Sequence, residues 1–152
     1  MKRKITSLLF PALTLLFVLF VFSNSMRTAA ESSEESGAVL DGLLALFPFL
    51  AGRIGQFVIR KAAHFSEFGL LGVLFGLSER LKCSAWHTGE TEKLLSRAAL
   101  FLTAVPLLDE TIQLFVPGRS GELRDVWIDL AGGALGFLLS LLFTRKKKTT
   151  ND

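Results

Sequence analysis

The sequence predicts an all-α membrane protein: a bundle of about four transmembrane helices, with an interfacial or re-entrant helical segment between the first and the second. Three observations predict it. Half of the 152 residues are hydrophobic, and the mean hydropathy is positive. The apolar residues fall into long blocks, and about 20 in a row are enough to cross a bilayer. Basic residues gather at the ends of those blocks, where they set topology. The length suits one domain covering residues 1–152. Fourteen Phe and no Tyr fit lipid-facing packing better than a wet binding surface. The net charge of +3 is placed as a topology signal, so it does not indicate a nucleic-acid partner. Cys83 is the only cysteine, so no internal disulfide forms, and a lone thiol carries no metal or catalytic signature.

The first span is 5–22, preceded by Lys2, Arg3 and Lys4. At ~1.5 Å per residue it covers roughly 27 Å, close to the hydrocarbon thickness. Pro11 would kink it, which membrane helices tolerate. A signal peptide is the rival reading, because Thr28-Ala29-Ala30 loosely resembles a cleavage site, but the apolar run exceeds the usual signal core. Residues 23–36 are polar and mostly acidic. Residues 39–59 are apolar but broken by Asp41, Pro48, Gly52, Arg53 and Gly55, which predicts the interfacial or re-entrant helix pair. The second span is 62–79, followed by a polar loop over 80–97. The third is 98–116. Residues 117–121 form a tight turn. The fourth span, 125–143, carries Gly132, Gly133 and Gly136, which allow close helix contact. A basic tail over 145–152 closes the chain. Basic clusters belong inside, so both termini are expected in the cytoplasm and the acidic 23–36 segment outside.

This topology gathers scattered polar residues at one depth. Arg60, Lys61, His64 and Glu67 lie at the outer end of the second span. Asp109, Glu110 and Gln113 lie toward the outer end of the third. Asp125 and Asp129 open the fourth, and the turn brings Arg119 and Arg124 to the same surface. Arg60, His64 and Glu67 share one helix face, as do Asp109 with Gln113 and Asp125 with Asp129. Ionised carboxylates in lipid cost ~2.5–3.5 kcal/mol each on insertion scales, so they must face partners or water. Five carboxylates here face four cations and one imidazole. The inner stretches 70–77, 98–105 and 130–143 carry no charge. One-sided polarity favours a pocket over a conduit, unless an oligomer builds the pore.

The segments Arg60-Lys61-x-x-His64-x-x-Glu67-Phe68, Asp109-Glu110-x-x-Gln113-x-Phe115-x-x-x-Arg119 and Asp125-x-x-x-Asp129-x-x-Gly132 resemble, in order and spacing, the VanZ-like family over roughly residues 5–143. The resemblance implies a bacterial integral membrane protein of the cell envelope. The family's founding member is linked to resistance to the glycopeptide teicoplanin. Family members often carry a Ser-Gln pair after the first span, where this chain reads Ser23-Asn24-Ser25.

The candidate acid–base or catalytic residues are His64, Glu67 and Asp109. The candidate binding residues are Arg60, Lys61, Glu110, Gln113, Arg119, Asp125 and Asp129. His64 with Glu67 reads either as an acid–base pair or as an interhelical hydrogen bond. The arginines read either as a fork for an anionic headgroup or as ion-pair partners of the carboxylates. Asp109, Glu110 and His64 have suitable donors for a divalent ion, but no tight ligand motif is present, so no metal and no cofactor is assigned. No serine sits in a recognisable nucleophile setting, so no reaction is assignable. Three function classes follow: a binder of an envelope lipid or cell-wall precursor, a membrane enzyme acting on such a molecule, and a structural partner of another membrane protein. The bilayer is the one partner expected in all three, and oligomeric state carries no signal.

Overall fold

The computed structural model describes residues 2–82 and 88–143. Cys83, Trp86, His87 and the basic tail lie outside the described residues. Among the described residues the chain is all-helical: α1 (Lys2–Ser25), α2 (Ala29–Leu46), a 3-10 turn (Pro48–Leu50), α3 (Gln56–Lys82), α4 (Thr88–Gln113) and α5 (Leu123–Phe143).

Local chemistry sets the breaks. Thr28 caps α2 with a reciprocal box: its hydroxyl accepts the Glu31 N–H, and the Glu31 carboxylate accepts the Thr28 N–H. Thr28 also hydrogen-bonds the Glu31 side chain, and the hydrogen bonds from its hydroxyl and amide hold the Glu31 pKa below the usual glutamate value. Helix therefore begins inside the polar, mostly acidic stretch 23–36. Pro48 lacks an N–H and ends α2 in a single 3-10 turn. The expected helix pair over 39–59 is thus one helix and a turn. Nothing between Gln56 and Ala62 breaks a helix, so α3 starts six residues before the predicted span. The turn after α4 hinges on Gly118, whose φ of 74° is a left-handed conformation that suits glycine.

Helices α3 and α5 form the most extensive contact, with α1 packed on α3 and α4, and α4 on α5. Their seam is built from absent side chains. A Cβ on Gly136 would collide with the Gly69 carbonyl, one on Gly132 with the Phe65 carbonyl, and one on Gly72 with the Gly133 carbonyl. Gly76 lies equally close to Ser140. The expected close contact at Gly132, Gly133 and Gly136 is present, and its counterpart on α3 is Gly69, Gly72 and Gly76. Two apolar clusters flank the seam. Val21, Phe68, Leu71 and Val105 join α1, α3 and α4. Leu94, Ala98, Leu102 and Phe137 join α4 to α5, beside a stacked Phe75–Phe101 pair at 4.3 Å.

The outside of the bundle is apolar. Leu8, Leu100 and Phe115 are 74%, 72% and 83% exposed, and many other leucines and phenylalanines join them. A surface of this kind belongs in lipid. Two described helices are long and apolar enough to cross a membrane, over Leu8–Ser25 and Leu123–Leu142. The charges on α3 and α4 dilute their hydropathy. Four of those charges turn inward: Lys61, Glu79, Asp109 and Glu110 are all buried.

Candidate functional site

The C-terminal ends of α1 and α4 meet the N-terminal ends of α3 and α5, so residues from four helices converge at one end of the bundle. Helix α5 buries Asp125 and Asp129 one turn apart; α4 buries Asp109, Glu110 and Gln113. Helix α3 adds Lys61, His64 and Glu67 from one face.

Asp109 lies at the centre and is fully buried. Ser25 Oγ donates to its Oδ1 in a short hydrogen bond, and Gln113 Nε2 donates to its Oδ2 at 3.0 Å. Arg119 Nε in turn donates to Gln113 Oε1 at 3.2 Å. Asn24 Nδ2 donates to Glu67 Oε1 at 3.0 Å. His64 turns toward α5, its Nδ1 3.4 Å from Asp129 Oδ1 without hydrogen-bond geometry. The His64–Glu67 pairing offered as one sequence reading is therefore replaced by two separate contacts, His64 toward Asp129 and Glu67 toward Asn24.

A second group lies beside the first. Lys61 forms a short, buried ion pair with Asp125 and lies 4.0 Å from Glu122. Glu110 Oε2 accepts the Glu122 N–H at 2.7 Å, which ties the end of α4 to the start of α5. Of the four cations expected to balance the carboxylates, only Lys61 does so. Arg119 reaches Gln113. Among the described residues Arg60 and Arg124 make no ion pair, and Arg124 is exposed. Burial, and then the neighbouring Arg60 charge, lower the Arg119 pKa from its ordinary value.

A cavity of about 380 Å³ opens on this end, between the ends of α1 and α3 and the first half of α2. His64 and Glu67 line it together with Asn24, Ser25, Arg60 and Arg119. Arg27 also lines it but is held by Glu35. Asn24 and Ser25 are site residues absent from the sequence-based candidates. Their signal was two polar side chains closing an apolar helix, at the position of the family's Ser-Gln pair.

An apolar exterior, a glycine seam and a buried polar cluster at one end define the class: a helical membrane protein with an internal polar site. A family model described as VanZ/LLP1 matches residues 10–144, and the chain belongs to that family. No curated protein and no solved structure matches it.

Proposed function

We propose that this protein is a four-span envelope protein whose cavity takes the anionic headgroup of an envelope lipid or lipid-linked cell-wall precursor from the outer leaflet. In this reading α1, α3, α4 and α5 cross the membrane, both termini are cytoplasmic and the polar end faces out. The protein then contributes to glycopeptide resistance of the teicoplanin type or to envelope homeostasis, in keeping with its family. Basic clusters at the opposite end of the bundle support the orientation. An uncleaved α1 is supported by Val21 in the core and by Ser25 on Asp109.

The observation that carries the reading is the pair Arg60 and Arg119. Both line the cavity, they repel one another, and among the described residues neither has a carboxylate within ion-pair distance. Two unneutralised guanidinium groups on one cavity fit a phosphate or carboxylate, and hydrogen bonds to such charged groups contribute ~1.5–3 kcal/mol each. Arg119→Ala should therefore reduce co-purifying anionic envelope lipid roughly tenfold to a hundredfold, by the usual conversion of ~1.4 kcal/mol per decade. Arg119→Lys should recover little, because Lys lacks the planar fork. Mass spectrometry of lipids from the purified protein reads the result, and binding should weaken with salt. Equal lipid in wild type and Arg119→Ala would instead favour the structural-partner reading. Labelling of Ser33→Cys and Ser120→Cys from outside, and of Glu90→Cys only from inside, checks the orientation.

The juxtaposition of His64, which lines the cavity, with the buried Asp129 behind it favours a second reading, a membrane enzyme. His64 would move a proton at the headgroup, with Glu67 and Asp109 beside it. Turnover of a lipid-linked precursor by purified protein, abolished by His64→Gln, would select it.

A further inference from the structure

We propose that His64, Asp109 and Asp129 form a binding site for one divalent transition-metal ion, of the Zn²⁺ or Mn²⁺ class. Each of the three offers a ligand atom, and these atoms all lie within 4.8 Å of one another. They come from α3, α4 and α5, so the site exists only when the bundle is assembled.

The second observation is independent of that convergence. Asp129 is fully buried, and neither of its oxygens has a hydrogen-bond partner. His64 Nδ1 is also buried and without a partner. Buried side-chain polar atoms are nearly always satisfied, and although His64 Nδ1 faces Asp129 Oδ1 at 3.4 Å, neither makes a hydrogen bond and Asp129 Oδ2 has no partner, which leaves these atoms free to take a ligand. Water would supply hydrogen bonds but no charge. Among the described residues, no lysine or arginine lies within ion-pair distance of Asp109, Asp129 or Glu67.

The geometry suits a metal. His64 Nδ1 and Asp129 Oδ1 are 3.4 Å apart, close to the roughly 3–3.5 Å between neighbouring ligands with metal bonds of ~2.1 Å. Asp109 keeps acceptor capacity after its two hydrogen bonds, because a carboxylate offers about four lone-pair sites. Those bonds, from Ser25 and Gln113, are the outer-shell contacts that hold a ligating carboxylate in place. One imidazole and two carboxylates suit Zn²⁺ or Mn²⁺ better than Mg²⁺ or Ca²⁺, which take oxygen ligands. His64 also lines the cavity, which supplies an entry path. The ligand set differs from the Asp109, Glu110 and His64 combination weighed from sequence. Glu110 Oε2 takes the Glu122 amide, and it is Asp129 rather than Glu110 whose ligand atom falls within 4.8 Å of those of His64 and Asp109.

The site stands whether or not a lipid occupies the cavity, so its test uses inorganic ions alone. Full-length protein is purified in detergent, stripped with chelator and titrated with Mn²⁺. Bound ion is read by loss of the free-Mn²⁺ paramagnetic resonance signal, and Zn²⁺ is then added in competition. The expected result is one Mn²⁺ per chain, displaced by Zn²⁺, with a raised melting temperature. Asp129→Asn, similar in shape and uncharged, and His64→Gln should abolish binding. Gln113→Ala should weaken it roughly tenfold to a hundredfold, as outer-shell changes do. Glu34→Gln, an exposed acidic change, should leave it intact. Absence of a bound ion in folded wild type would overturn the proposal, as would Mn²⁺ binding unchanged in folded Asp129→Asn.

Discussion

The two ends of the bundle both bury carboxylates, but only one end neutralises them in a simple way. At the end away from the cavity, Glu79 is buried and Arg97 reaches it at 3.0 Å, with most of the Arg97 side chain in contact with solvent. At the cavity end, Glu67, Asp109 and Asp129 gather around a single imidazole, and the two arginines nearby pair with none of them. A bundle that needed only stability would repeat the first solution or use apolar residues, since buried charge rarely improves stability. The second arrangement carries an unmet need for a cation or a ligand. The proposed site would account for that arrangement, since natural proteins keep functional groups at a cost to the fold.

The largest effect expected is at the buried Lys61–Asp125 pair on the cavity side. Lys61→Ala leaves Asp125 buried without a partner, and breaking such a pair costs ~3–5 kcal/mol. Thermal unfolding in detergent checks it. Lys61→Met with Asp125→Leu should recover most of the loss, because replacing both partners removes the buried charge. If the single variant unfolds like wild type, the pair is solvated and the contrast between the ends weakens.

Second comes the seam that both ends share. Gly136→Ala drives a Cβ into the Gly69 carbonyl, and overpacking costs ~1–3 kcal/mol. Backbone cannot swing aside like a side chain, so α3 and α5 must part. That separation moves Asp129 away from His64, since these residues sit on the same two helices. A lower melting temperature together with lost ligand retention is the expected outcome. Arg97→Ala makes a useful comparison. Its partner Glu79 is buried, but more than half of the Arg97 side chain is exposed, so the loss is expected near ~1 kcal/mol. Ligand retention should survive it, because it acts at the other end.

Sequence patterns disclosed a good part of this. Apolar blocks located α1, α3, α4 and α5. An alternating path placed His64, Glu67, Asp109 and Asp129 at one end, where the structure brings them together. Pairing within that end was not legible. Periodicity shows which residues share a face, but the rotation of one helix against another decides that His64 meets Asp129 and that Lys61 takes Asp125. The α3 side of the seam was readable in principle, since Gly69, Gly72 and Gly76 recur at three- and four-residue spacing. Their meaning appears only once α5 supplies the facing glycines. Asn24 and Ser25 were hidden by their place at a helix end, where polar residues are ordinary. The start of α2 was hidden by composition, because an acidic stretch reads as loop until Thr28 and Glu31 are recognised as a capping box.

The smallest effect on global stability concerns that box, and it separates α2 from the rest of the bundle. Helix α2 buries no residue fully, and Ser32, Glu35, Ser36 and Val39 from it line the cavity. Its order therefore rests on local chemistry, chiefly the Thr28 cap. Thr28→Ala should cost ~0.5–1 kcal/mol of α2 helix stability, at the low end of N-cap losses. Global unfolding should hardly change, because the contacts among α1, α3, α4 and α5 are untouched. Hydrogen exchange should quicken over the first turns of α2 and stay slow over Phe68 and Leu71. Acid should mimic the substitution. The folded Glu31 pKa is depressed, so its contribution is present above the unfolded value of 4.5 and fades as pH falls through the lower folded value. Protection against exchange in α2, relative to the intrinsic rate at each pH, should thus fall below about pH 4.5 in wild type, and not further in Thr28→Ala, where the box is already gone. If lipid retention falls in step with that fraying while the melting temperature holds, α2 is a movable wall of the cavity. If retention is unchanged, the ligand is held by α1, α3 and the Arg119 turn, and the α2 wall adds nothing to its hold.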